Sequence, residues 1–237
     1  MYLTKLVKTS CVAIILMVIS LQSFAQPSAN FNATPASGCA PLLVTFSDQS
    51  TGNLTSWRWD LGNGTVSFMQ NPSVIYHNPG QYTVKLVVTS ASGADSVIRT
   101  NLISVYAKPT VNFSASSVSG CAPLNVNFTD QSIPGSGSLN SWQWDFGDGT
   151  FSTLQNPSHS YTATGSYNLS LLVTNIHGCV NTITNPNYIT ITDKPTAAFT
   201  NSSTANCGAP LTINFTSQST GVGNLSYLWS FGDGQTS

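Results

Sequence analysis

Three segments of this chain align with one another, and that recurrence limits the fold more than any other feature. Gly38-Cys39-Ala40-Pro41-Leu42 matches Gly120-Cys121-Ala122-Pro123-Leu124, and then Cys207-Gly208-Ala209-Pro210-Leu211. Phe46-Ser47-Asp48-Gln49-Ser50 matches Phe128-Thr129-Asp130-Gln131-Ser132, and then Phe215-Thr216-Ser217-Gln218-Ser219. Trp57-Arg58-Trp59-Asp60-Leu61-Gly62-Asn63-Gly64 matches Trp142-Gln143-Trp144-Asp145-Phe146-Gly147-Asp148-Gly149, and then Tyr227-Leu228-Trp229-Ser230-Phe231-Gly232-Asp233-Gly234. From Cys39 to Cys121 is 82 residues, and from Trp57 to Trp142 and from Trp144 to Trp229 is 85. A period of that length is a small domain, not one turn of a solenoid. The repeats place domains at 27–106, 109–192 and 195–237. Tyr106-Ala107-Lys108-Pro109 and Thr192-Asp193-Lys194-Pro195 join them. Each joint is a short Lys-Pro step, which leaves neighbouring domains end to end with limited play.

Inside a repeat the apolar period is two. Leu124, Val126 and Phe128 alternate with Asn125, Asn127 and Thr129; Tyr167, Leu169, Leu171 and Val173 alternate with Asn168, Ser170 and, imperfectly, Leu172, and Tyr82, Val84, Leu86 and Val88 do the same in the first repeat. Such alternation is a half-buried antiparallel strand. Short strands between Gly, Pro, Asn and Ser clusters predict an all-β sandwich or barrel. A Trp in an early-middle strand and a Tyr opening a late one fit an immunoglobulin-like sandwich, with Gly80-Gln81-Tyr82 and Gly165-Ser166-Tyr167 as its tyrosine corners. Composition agrees. Charged residues are only 6% of the chain, all eight acids are Asp, and seven Lys and Arg leave a net charge of -1. Nucleic-acid binding needs a basic stripe, which is missing. Helical bundles and coiled coils need charged exposed faces.

The first 25 residues read as an address. Lys5 and Lys8 precede an apolar run from Cys11 to Leu21, and Ser23 and Ala25 supply small residues for cleavage before Gln26. This is the pattern of a secretory signal peptide, and the run is shorter than the roughly 20 residues of a spanning helix. The mature chain is expected to be exported, with no transmembrane segment once the signal is removed.

The Trp-Gln-Trp-Asp-Phe-Gly-Asp-Gly run at 142–149, the following Asn156-Pro157-Ser158-His159-Ser160-Tyr161, and the strand from Gly165 through Tyr167 to Asn175 resemble PKD (polycystic kidney disease) domains. The first repeat departs from the pattern at Asn63. The third reaches Ser237 just past its Gly232-Asp233-Gly234, so a truncated third domain, with further domains of the same chain beyond Ser237, is expected. The resemblance implies a non-catalytic extracellular module in a secreted or surface adhesin-like protein, serving as a structural spacer and contacting extracellular proteins or polysaccharides. Two alternatives remain: a polysaccharide-binding module, or the non-catalytic N-terminal region of a secreted hydrolase.

Four cysteines remain after the signal, and four allow three full pairings. Aligning the repeats puts Cys121 at the start of repeat two and Cys179 after its turn Asn175-Ile176-His177-Gly178; repeat one has Cys39 but Ala94 at the second place. The expectation is an intradomain Cys121–Cys179 disulfide, of the kind that persists outside the cytosol, with Cys39 left without a partner, as a small buried apolar residue in preference to an intermolecular thiol.

Two other clusters, one polar and one aromatic, bear on chemistry. Asp145 and Asp148 could serve a calcium ion, because hard cations take clustered carboxylates. A strand-ending turn is the better reading, since Ser230 replaces Asp145 in repeat three. Trp57 and Trp142 could stack on sugars; Trp59, Trp144 and Trp229 read as core. No nucleophile-base-acid set, metal-ligand spacing or phosphate loop occurs. With no Glu, paired-carboxylate glycosidase chemistry has little to use. No catalytic residue and no cofactor is expected.

Overall fold

The structure, a computed structural model, describes residues 26–202 and 212–237. The expected signal peptide, with Lys5, Lys8 and Cys11, lies outside the described residues, as do Cys207, Gly208, Ala209, Pro210 and Leu211. Among the described residues every regular element is a strand. No helix among the described residues is long and apolar enough to cross a membrane.

Repeat one contains β1 (Phe31–Thr34), β2 (Ser37–Cys39), β3 (Leu42–Asp48), β4 (Leu54–Asp60), β5 (Val66–Ser67), β6 (Ser73–Tyr76), β7 (Gly80–Ser90) and β8 (Gly93–Tyr106). Repeat two has the same series: β9 (Phe113–Ala115), β10 (Ser119–Cys121), β11 (Leu124–Asp130), β12 (Leu139–Asp145), β13 (Phe151–Ser152), β14 (Ser158–Tyr161), β15 (Gly165–Asn175) and β16 (Val180–Thr192). The sheet orders are β1-β3-β6 with β2-β8-β7-β4-β5, and β14-β11-β9 with β10-β16-β15-β12-β13. The period-two sequence pattern is therefore a strand pattern in both.

Residue contacts divide the chain into two compact units. Among the described residues, one comprises 26–33, Thr45–Pro72 and Thr83–Thr100; the other comprises Thr34–Val44, Ser73–Tyr82, 101–202 and 212–237. In the first, β4 runs antiparallel to β7 with Trp59 opposite Leu86, and Trp59 is fully buried against the rings of Phe31 and Phe46.

The second unit holds the whole of repeat two. Its core takes Val126 and Phe128 from one sheet and Trp144, Leu169, Leu171, Val173, Ile189 and Ile191 from the other, so the two sheets close face to face as a sandwich. Burial of Trp144 alone stabilises the domain by roughly 2–3 kcal/mol. Its indole N–H donates to the Leu154 carbonyl at 3.0 Å, so the ring is buried without an orphaned donor. The tyrosine corner forms in repeats one and two: the Tyr82 hydroxyl donates to the Asn78 carbonyl at 2.6 Å, and that of Tyr167 to the Ala163 carbonyl at 2.8 Å.

Repeat three shows β17 (Phe199–Asn201) paired antiparallel with β18 (Phe215–Ser217). Phe199, Phe215 and Trp229 keep the aromatic triad that Phe113, Phe128 and Trp144 form in repeat two. There Trp144 is fully buried, whereas Phe199 is 60% exposed and Trp229 only half-buried.

Candidate functional site

The cysteines are arranged differently from the expectation. Cys39 is bonded to Cys179, with Cα atoms 5.5 Å apart, and Cys121 is a half-buried free thiol. The expected Cys121–Cys179 bond is excluded by strand geometry. Cys121 lies opposite Thr192, at the end of β16, while Cys179 immediately precedes its start at Val180. That length of extended strand puts them roughly 40 Å apart, where a disulfide needs Cα atoms within about 7 Å. Nor is Cys39 a lone apolar residue. It lies on β2, parallel to β8 and opposite Tyr106, the last residue of β8 before the Ala107-Lys108-Pro109 linker. The bond therefore ties the trailing end of repeat one to the leading turn of repeat two, and it spans 140 residues of sequence.

Around this bond the joint is built from polar contacts. Asn175, at the end of β15, is only 1% exposed. Its Nδ2 donates to the carbonyls of Ala107 (3.0 Å) and Pro134 (3.2 Å). Its Oδ1 accepts from the backbone N–H of His177 (3.1 Å) and Cys179 (3.0 Å). One buried amide thus holds the linker with its donors and shapes the cysteine's own turn with its acceptor. The Asn181 Nδ2 donates to the Pro109 carbonyl at 2.8 Å, and the Ala107 N–H donates to Ser136 Oγ at 2.8 Å. His177 stacks flat on Tyr106, with ring centroids 3.7 Å apart and planes 6° from parallel. Neither Asn175 nor this stack was assigned a role from sequence. The available signal was Asn175 itself, a polar residue ending an apolar strand where repeat one has Ser90.

The expected stacking residues occupy a second recurrent cluster. Trp57 and Trp142 are half-buried, on the same strand face as Trp59 and Trp144. The Trp57 Nε1 donates to Asp48 Oδ2 at 2.7 Å, and the Trp142 Nε1 to Asp130 Oδ2 at 2.7 Å. Gln70 and Gln155 donate to the same oxygens, and the Ser50 and Ser132 N–H groups donate to the other carboxylate oxygen. Burial pushes the Asp48 carboxyl up, but the hydrogen bonds from Ser50, Gln70 and Trp57 outweigh it and hold its pKa below the ordinary value. These tryptophans brace the margin of the core through an anionic acceptor.

The candidate calcium residues form turns. Asp145 Oδ1 accepts from the Gly147 N–H, and Asp148 Oδ1 accepts from the Thr150 N–H and hydroxyl. Asp148 Oδ2 pairs with His159 Nε2 at 2.7 Å, and the His159 ring lies flat on Phe146. The same turn recurs as Asp60 and Asn63 to Gly62 and Thr65, and as Asp233 to Gln235. Gly62 and Gly147 have φ of 79° and 81°, and a Cβ there would run into the carbonyls of Thr83 and Asn168. Among the described residues no group of three or more His, Cys, Asp or Glu is placed to hold a metal.

Fold and joint together define a tandem array of immunoglobulin-like sandwiches in which successive modules are tied covalently. A profile of the PKD domain matches residues 25–105 and again 106–191, and the chain belongs to the PKD domain family. It is 38% identical over 72 residues to the collagenase ColA of Bacillus cereus, covering 29% of this chain and 8% of that protein. It is 28% identical over 140 residues to polycystin-1-like protein 1 of Oryzias latipes, covering 58% of this chain and 5% of that one. The chain thus spans less than a tenth of the length of either curated relative. The PKD1 domain of Vibrio anguillarum Epp is 35% identical, covering 36% of this chain and 98% of that domain, with a TM-score of 0.33.

Proposed function

We propose that this chain is a non-catalytic, exported PKD array that works as a stiff spacer of a secreted or surface adhesin-like protein and presents its sandwich faces to extracellular proteins or polysaccharides. The observation that carries this is the Cys39–Cys179 bond with the Asn175 amide beside it. A linker as short as Ala107-Lys108-Pro109 limits play by itself. A covalent tie and a buried amide on the same linker remove much of what is left. The disulfide also favours an oxidising compartment, in keeping with the signal peptide proposed for residues 1–25. The low charge leaves few long-range electrostatic handles, so contacts would rest on hydrogen-bonding faces.

The relation to a collagenase supports one alternative setting, in which the same repeats form the non-catalytic part of a secreted hydrolase. The spacer reading is the same in both settings. The test is a distance distribution by double electron–electron resonance between spin labels at Arg58 and Gln143. A narrow distribution in the oxidised chain that broadens in the Cys39→Ser variant is expected. Equal widths in both would reject stiffness as the role of the tie.

A further inference from the structure

The two ends of repeat two offer a direct comparison. At its leading end, Cys39 receives Cys179. At its trailing end Cys121 stands in the same frame as a free thiol, its Sγ 3.8 Å from Thr192 Oγ1. Cys39 lies opposite Tyr106 on a parallel pair of strands, and Cys121 lies opposite Thr192 on another. The N–H of the next residue donates to the facing carbonyl in both: Ala40 to Tyr106 at 2.9 Å, and Ala122 to Thr192 at 3.0 Å.

A second observation is independent of the thiol. An open groove of about 580 Å³ is lined by Ala122, the residue after Cys121, and by Asp193, Lys194, Thr196, Thr220 and Gly221, among others. Asp193 and Gly221 are the counterparts, by repeat alignment, of Ala107 and Pro134. Those are the two residues whose carbonyls hold Asn175 at the first joint. The bridges agree with this register, since Thr110 pairs with Ile133 and Thr196 pairs with Thr220. Groove and thiol together reproduce the surroundings of the Asn175–Cys179 turn, without the turn.

We infer that Cys121 and this groove are a seat for the Asn-to-Cys turn of a PKD repeat, closed by a disulfide, so that each repeat's opening cysteine bonds the next repeat's turn. The occupant is an Asn-to-Cys turn built as Asn175 and Cys179 build theirs at the first joint, where it is seated on the equivalent cysteine Cys39. The bond forms by thiol–disulfide exchange with a disulfide oxidant. The Cys121 thiolate attacks the oxidant and expels one thiolate. The incoming cysteine thiolate then attacks the Cys121 sulfur and expels the second. Two thiols become a disulfide, the oxidant is reduced to two thiols, and the two protons pass to those thiols. The stack of His177 on Tyr106 is not carried over, because Thr192 stands in place of Tyr106. The inference rests on the spacer reading only for its setting, since Cys121 pairing and joint stiffness are measured separately.

The experiment appends a copy of residues 153–192 after Ser237, which completes the third repeat and supplies a second Asn-to-Cys turn. Non-reducing peptide mapping is expected to show Cys121 joined to the appended copy of Cys179, beside Cys39–Cys179. Alkylation of Cys121 should fall at least tenfold from that of the unextended chain. A Cys121 that alkylates as before, while Cys39–Cys179 forms, would overturn the inference. If the extension fails to fold, the unextended chain decides. A synthetic peptide of residues 170–184 in glutathione buffer is expected to form about ten times more mixed disulfide at Cys121 than its scrambled version. Equal capture of the two peptides would count against the seat.

Discussion

The buried side-chain amide of Asn175 donates to the carbonyl of Ala107 at 3.0 Å, from one repeat to the linker that precedes it. Its other contacts are the Pro134 carbonyl and two N–H groups of its own turn. Asn175→Ala leaves these buried groups without a partner. The expected loss is about 3 kcal/mol in urea unfolding followed by tryptophan emission, given about 1–3 kcal/mol per orphaned group. Asn175→Asp should lose at least as much, because a carboxylate would face two carbonyl oxygens. A loss below about 0.5 kcal/mol in Asn175→Ala, the range of an ordinary surface change, would show that the amide is not the pin of the joint.

Trp142 and Asp130 are coupled in the same way within repeat two. Trp142→Phe keeps most of the packing and removes the donor to a carboxylate, so a loss of about 1.5–3 kcal/mol is expected. Retention on insoluble polysaccharide should be unchanged in Trp57→Phe and Trp142→Phe, because each indole N–H already has an acceptor within the domain. A several-fold drop in retention, with unfolding unaltered, would restore the sugar-platform reading.

Acid sensitivity follows from Asp148. Burial raises its carboxyl pKa, but the hydrogen bonds of Thr150 and His159 and the charge on His159 outweigh that and hold it below the ordinary 3.8. A carboxylate depressed in the folded state stabilises fully above its ordinary value, and that contribution disappears as pH falls through the folded one. The urea midpoint should fall below about pH 4, and Asp148→Asn should flatten that acid limb by lowering stability at neutral pH, where the carboxylate acts, while changing it little in acid. An acid limb identical in the variant and the parent chain would remove Asp148 as its source.

Asn187 has φ of 52°, at the point where the register between β15 and β16 shifts, and its N–H donates to Asn168 Oδ1. Asn101 has the same φ at the matching place in repeat one. Only Gly and Asn adopt this region readily, so Asn187→Gly should stay within about 0.5 kcal/mol of the parent and Asn187→Val should cost about 1–2 kcal/mol. Thermal denaturation by circular dichroism separates the two outcomes; a Val variant as stable as the Gly variant would contradict the argument.

Much of the fold was legible in the chain because its cause is local. Leu169, Leu171 and Val173 are buried at every second position, with Asn168, Ser170 and Thr174 between or beside them and only Leu172 breaking the polar alternation, and a half-buried strand requires that period whatever surrounds it. Trp144 and Tyr167 were readable for a related reason: each is a large residue at a fixed offset from turn residues. The Asp-x-x-Asp turn was readable too, because its hydrogen bonds reach only two residues along the chain.

The cysteines show the limit. That Cys39 and Cys121 are equivalent, and that Ala94 stands where Cys179 would have its counterpart, is written in the sequence. Whether a pair closes within one repeat or between two is a question of which end of a strand each sulfur occupies. A disulfide operates over a few ångströms, whereas β16 separates Cys121 from Cys179 by the length of a domain. The chain by itself therefore determined the repeats, the strands and the set of thiols. Only the tertiary structure, by bringing the trailing end of one repeat against the leading turn of the next, decided which thiols meet and made Asn175 the residue that holds them there.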